Sequence, residues 1–150
     1  MMEMGFSKIL VPTDGSEFTK AAASKAMDLA ELTDGTVTVL YVIDQTLFMN
    51  VPMDSAIASV YAALKKEGQD AVDTIKRMCD ERNVKVRTEV ADGQPVKIIL
   101  ETAKDHDLIV MGTLGRTGVS KLLMGSVAER VVRQSTGPVM VVRSPEVDRK

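Results

Sequence analysis

The sequence predicts an α/β fold: an open parallel sheet with helices on both faces. Three observations carry this expectation. Short, almost wholly apolar runs recur along the chain, in FSKILVP, TVTVLYVID, DLIVM and VMVVR. Between them lie segments whose apolar residues step by three and four, the period of a helix. The two kinds of segment alternate, and strand–crossover–strand connections place helices over both faces of a parallel sheet.

The elements follow in order. Phe6–Val11 is a strand ended by Pro12 and the turn-like Thr13–Ser16,. A helix is expected from Ser16 to Leu32, with Ala22, Ala26, Leu29 and Ala30 on one face. Ser16 or Asp14 can cap it, and Asp34-Gly35 ends it,. Thr36–Asp44 is apolar nearly throughout, as in a strand covered on both faces,. Residues 45–55 read as a loop broken by Asn50 and Pro52. The stripe Ile57, Val60, Tyr61, Leu64, Ala71, Val72, Ile75, Met78 and Cys79 predicts a long helix over 55–82, interrupted by Gly68,. Val84–Ala91 alternates as a strand exposed on one face, and Asp92-Gly93 turns the chain. Gln94–Lys104 is a helix with Pro95 in its first turn,. A buried strand over Asp107–Met111, a Gly-rich loop to Met124, a helix over Gly125–Gln134 and a last strand over Val139–Arg143 complete the order.

Composition narrows the class. The 150 residues, 45% hydrophobic and 27% charged, fit one domain spanning 1–150 rather than a disordered chain,. The single cysteine excludes an intramolecular disulfide framework and fits a reducing compartment,. No apolar run nears the ~20 residues that span a bilayer, and MMEMGFSK lacks the features of a signal peptide. A cytoplasmic protein without a membrane partner is the expectation. Charge is uneven: residues 112–143 hold five basic side chains and one acid within a chain of net charge −2. Such a zone suits a small polyanion. It is too small and Gly-rich for a nucleic-acid face, and aromatics are only 3% of the chain, which leaves few stacking platforms,.

In an open parallel sheet, ligands bind past the carboxyl ends of the strands where strand order reverses. The segments there are Pro12–Ser16, Val42–Asp44 and Met111 onward. The last, MGTLGRTGVSKLLMGSVAERVV, places glycines at 112, 115, 118 and 125, with Gly125-Ser126 leading into a helix. Glycines let amide groups converge on an anion, and a helix start adds bare donors. Arg116 or Lys121 can supply charge. The bland alternative is a loop whose glycines merely permit turns. Neither a Walker A motif nor a Rossmann GxGxxG occurs, which removes ordinary P-loop and dinucleotide readings,.

The spacing Gly112-x2-Gly115-x9-Gly125-Ser126, with ILVPTDGSE, DLIVMGTLGRTG and GSVAERVVRQSTGPVMVVR around it, resembles the nucleotide signature of the universal stress protein family, over Ser7 to Arg143. The likeness is to its ATP-binding branch. It implies a Rossmann-like, adenine nucleotide alpha hydrolase-like fold with five parallel strands in the order 3-2-1-4-5. It further implies a regulatory module in the stress response that binds ATP, or AMP or ADP, with Mg²⁺ or Mn²⁺. By the same resemblance Pro12, Thr13 and Asp14 line the nucleotide crevice, with Asp14 near a phosphate-bound metal. The Val42 backbone meets adenine, and Met111 and Gly112 meet the ribose. Gly115, Arg116, Gly125, Ser126 and Val127 gather at the phosphates. Val139, Met140, Val141, Val142 and Arg143 form a homodimer edge, and further protein partners are unknown.

The resemblance implies no catalytic residue, and no clear base for phosphoryl transfer is present. A slow ATP hydrolase or a phosphoryl- or adenylyl-transfer enzyme is the alternative, and an interaction protein without physiological nucleotide is a second. His106, between Asp105 and Asp107, reads as a surface histidine at the amino end of a strand rather than a metal ligand. Cys79 reads as core, and Ser16 as a cap rather than a nucleophile. Met49 and Met53, flanking Phe48, are either simple packing or an adaptable lid or partner surface.

Overall fold

The computed structural model describes residues 5–113 and 125–143. Strands and helices alternate as β1 (Lys8–Pro12), α1 (Phe18–Thr33), β2 (Thr36–Asp44), a 3₁₀ turn (Gln45–Phe48), α2 (Ser55–Glu81), β3 (Lys85–Gly93), α3 (Pro95–Ala103), β4 (Leu108–Gly112), α4 (Ser126–Gln134) and β5 (Val139–Val142). The strands form one parallel sheet in the order β3-β2-β1-β4-β5. The expected fold class and strand order therefore hold. Among the described residues no helix is long and apolar enough to cross a membrane.

Period-two alternation divides the core between two faces. Ile9, Val11, Val37, Val39, Tyr41 and Val110 pack with α1 and α2, against Ala22, Ala26, Val72 and Ile75. Leu10, Leu40, Ile109 and Met111 point the other way, onto Val96, Ile99, Ala128 and Val131 of α3 and α4. Strands covered on both sides explain why β1, β2 and β4 read as continuous apolar runs. Each fully buried Val, Leu or Ile contributes roughly 1.5–3 kcal/mol. The alanines of α1 let that helix lie close on the sheet: Ala22, Ala23 and Ala26 are fully buried. At its far end Asp34 adopts a left-handed conformation, and its N–H bonds the Ala30 carbonyl.

Several local expectations need correction. Strand β1 starts later, at Lys8, because Phe6 has φ +72 and lies outside the ladder. Pro12 belongs to the strand, in register with Leu40. Helix α1 starts at Phe18 and has no side-chain cap at Glu17. Asp14 instead closes the preceding turn, accepting from the Ser16 N–H at 2.9 Å. Asp92 and Gly93 extend β3 alongside Ile43 and Asp44 rather than turning. The 45–55 segment opens with the 3₁₀ turn, whose first N–H groups are met by Asp44: its carboxylate accepts from Thr46 N at 3.0 Å. Val60, expected on the buried stripe, is 49% exposed, because the inward face of α2 at this end runs through Ile57, Tyr61 and Leu64 and Val60 lies beside it. Gly68 is no defect: it is buried, and the Tyr41 ring lies directly on it.

Candidate functional site

The crevice arises from one missing donor. β1 pairs with β2 through the Pro12–Leu40 rung, but with β4 only through the Leu10–Ile109 rung. Peptide groups of successive strand residues face alternate neighbours. Thr13 N–H donates to the Leu40 carbonyl at 2.8 Å, and Thr36 N–H to the Ser7 carbonyl at 2.8 Å, so odd residues of β1 face β2. Pro12 therefore faces β4, where it has no N–H to offer and the ladder stops. Above this point no rung joins β1 to β4, and this unpaired interval, where strand order reverses, is the candidate gap,.

The same alternation aims other backbone groups into the gap. Thr36 and Leu40 of β2 face β1, so Val42 does too, beyond the last β1 rung. On β4, Ile109 and Thr113 donate to Pro138 and Val142 of the β5 side, at 3.1 Å each. Gly112, between Met111 and Thr113, consequently faces the gap. Met111 does not: its peptide groups turn to β5, and its side chain is buried in the core. Of the two ribose residues expected, Gly112 is the one whose backbone reaches the opening.

The turn after β1 forms the near wall. Thr13 is buried, and its Oγ1 accepts from Gly15 N–H at 3.0 Å. Gly15 has φ +84, a left-handed conformation that suits glycine,. Asp14 Oδ1 also accepts from the Thr19 hydroxyl at 3.4 Å, which fixes the carboxylate beside the opening. The Ser16 Oγ is buried without a hydrogen-bond partner, so this hydroxyl is not the cap that the sequence suggests.

The far wall is the start of α4. Gly125 N–H donates to the Thr113 carbonyl at 2.5 Å, which sets the start of α4 beside the carboxyl end of β4. The first intrahelical bond is Glu129 N–H to the Gly125 carbonyl at 2.9 Å, and Gly125 carries no side chain to cap the turn. The N–H groups of Ser126, Val127 and Ala128 are left without intrahelical partners, with the positive end of the helix behind them. α2 differs: Asp54 accepts from Ile57 N–H at 2.9 Å. Gly115 and Arg116, expected at the phosphates, lie outside the described residues.

Pro12, Thr13, Asp14, Val42, Gly112, Gly125, Ser126 and Val127 are thus gathered at one end of the sheet. Two residues were missed. The Leu40 carbonyl holds the 13–16 turn, and the Thr113 carbonyl anchors α4; counting strand alternation upward from Pro12 would have marked the first. Among the described residues no cluster of three metal-ligating side chains occurs. A cleft of about 280 Å³ opens at the opposite end, between Leu100, Lys104, His106, Gln134 and Pro138. His106 there is more than a surface residue: Nδ1 lies 2.8 Å from the Thr102 carbonyl, and Nε2 lies 3.0 Å from Thr38 Oγ1. Cys79 is fully buried, and burial pushes its thiol up to about 11.

Comparison with known proteins agrees with this architecture. The sequence model of the universal stress protein family matches residues 5–143. Universal stress protein MJ0531 of Methanocaldococcus jannaschii is 42% identical over 143 residues, covering 94% of this chain and 84% of its own. The solved structure of MJ0577 from the same organism superposes with a TM-score of 0.84 at 30% identity, over 94% of this chain and 98% of that one. A family protein of Arabidopsis thaliana, solved with AMP bound, shares the fold at 17% identity, with a TM-score of 0.68 over 93% and 94% of the two chains. The chain belongs to the universal stress protein family.

Proposed function

We propose that this chain is an ATP-binding regulatory module of the stress response, working in the cytoplasm as a homodimer. The observation that supports nucleotide binding is the convergence of backbone groups on one gap: the Val42 and Gly112 peptides, the Pro12 carbonyl, and the uncapped N–H groups of Ser126 and Val127. A phosphate chain suits the helix start, where bare donors and the helix dipole act together. Adenine suits Val42. A strand peptide presents one donor and one acceptor, matching adenine's N1 acceptor and N6 donor, whereas guanine presents the reverse pair. Asp14 stands beside the gap, and a divalent cation there would draw most of its ligands from phosphate and water, with Asp14 as the protein's contribution. AMP in the Arabidopsis structure accords with the same ligand class.

The homodimer is proposed at the free side of β5. Among the described residues that strand pairs with β4 alone, and Met140 is 36% exposed on it. Val139, Met140, Val141 and Val142, with Arg143 after them, present an apolar edge that a twin strand would close.

The test is mass spectrometry of small molecules that copurify with the protein, followed by calorimetry with ATP and GTP. ATP should bind at least about tenfold more tightly than GTP, given one mispaired donor and acceptor. Gly125→Val should abolish binding while the protein stays folded, because Gly125 has φ −62, which valine adopts without strain. Equal ATP affinity in wild type and Gly125→Val would overturn the proposed site.

A further inference from the structure

The surface formed by the 45–54 segment and the first turns of α2 has no role in the nucleotide reading, and among the described residues exposed apolar side chains concentrate on it. Leu47 is 61% exposed, Met49 60%, Met53 65%, and Val51 and Val60 above 40%. Phe48 packs edge-on against Tyr61, with ring centroids 5.8 Å apart, which ties the segment to the helix and holds its apolar neighbours outward. From Asp44 to Leu64 the sequence holds two acids, Asp44 and Asp54, and no base; the first cation along the helix is Lys65. β3 adds a third carboxylate, since Asp92 accepts from the Tyr61 hydroxyl at 2.6 Å.

We propose that this surface docks a cationic, amphipathic helical segment of another protein. Unbranched Met side chains adapt to a helix laid across them, and carboxylates around an apolar patch select basic flanking residues. A second copy of this chain fits poorly, because an isologous contact would set Asp44, Asp54 and Asp92 against themselves. An anionic membrane is disfavoured for the same reason.

The test uses the full chain and two fluorescein-labelled 18-residue peptides. Both carry leucines at helical spacing; one has lysine at the polar positions, the other glutamate. Anisotropy should give the lysine peptide an affinity at least tenfold above its glutamate twin. The double variant Met49→Ser/Met53→Ser keeps the net charge and touches only exposed side chains, so it should fold as wild type by circular dichroism yet lose that affinity at least tenfold. Amide shifts on titration should fall in residues 44–61. Equal binding of both peptides, or an unchanged affinity in the methionine variant, would overturn the proposal. So would methionine-dependent self-association in sedimentation, or binding to phosphatidylglycerol vesicles but not to the lysine peptide.

Discussion

Gly68→Ala separates two accounts of the same glycine. As a helix defect, Gly68 costs α2 about 1 kcal/mol relative to alanine, and the substitution should stabilise the protein by that amount. The packing predicts the opposite sign. A Cβ at Gly68 would stand 2.5 Å from Tyr41 Cδ1, 2.9 Å from Cε1 and 3.0 Å from Cγ. Ordinary carbon contacts need ~3.5–4.0 Å, so the ring or the helix must retreat by roughly 1 Å. Tyr41 is 5% exposed and held between β2 and α2, with Val39 and Ile43 buried beside it. Overpacking of this kind costs about 1–3 kcal/mol, and after the propensity gain we expect a net loss of about 1–2 kcal/mol. Urea unfolding at fixed protein concentration should show it as a lower midpoint with unchanged slope. In a Tyr41→Leu background the clash disappears, and Gly68→Ala should then be neutral or stabilising. A gain of about 1 kcal/mol from Gly68→Ala in the wild-type background would refute the packing account.

Three further expectations follow from other contacts. Arg82 joins the ends of α1 and α2 by donating to Asp28 at 2.7 Å and to Glu31 at 2.9 and 2.8 Å. Its hydrogen bond holds the Glu31 carboxyl below its ordinary value of 4.5. The advantage of wild type over Arg82→Met should be full above pH 4.5 and fade as pH falls through the lowered Glu31 value; a pH-independent difference in urea midpoint would count against the ion pair. Cys79, pushed up to about 11 by burial, keeps its stabilising effect below the ordinary thiol value and loses it as pH rises through 11,. At pH 8 a thiol reagent should label the native protein on the order of 100-fold more slowly than the unfolded chain, and comparable rates would exclude a buried thiol. Val141→Pro should dissociate the proposed dimer in sedimentation, because Val141 faces away from β4 and its loss of an N–H spares the Met140 and Val142 rungs,. A variant that remains dimeric would move the interface elsewhere.

The sheet was legible because its information is local. β2, α2 and α4 carry their periods within their own residues, and the observed bounds depart from the expected ones by a residue or so. The turns around them were legible too, through Asp34 and Pro95. What escaped was set across the fold. Nothing within α2 says that Tyr41, from another element, lies on Gly68, so its glycine reads as a break. Val60 sits at a correct apolar step, yet the partners at that end, Phe48 and Asp92, meet Tyr61 and leave Val60 to solvent. Asp92 and Gly93 look like a turn until β2, nine residues long, supplies rungs for them. Ser16 looks like a cap, but the backbone enters α1 one residue later, and Asp14 takes over the turn.

The same distinction explains why the candidate site could be located before its residues could be ranked. Strand order places the opening, and Pro12 fixes its depth: with no N–H on the β4 side, the ladder ends at Leu10 and not two residues higher,. From that single stop, alternation decides which backbones face the gap. It selects Val42 over Ile43 and Gly112 over Met111, although each pair is adjacent in sequence. A residue in position 12 with a free N–H would allow one more rung toward β4 and narrow the opening by the same amount. The crevice is therefore a property of the ladder's arithmetic more than of any side chain, which is why the groups that line it are mostly peptide groups and why glycine recurs where they must be reached.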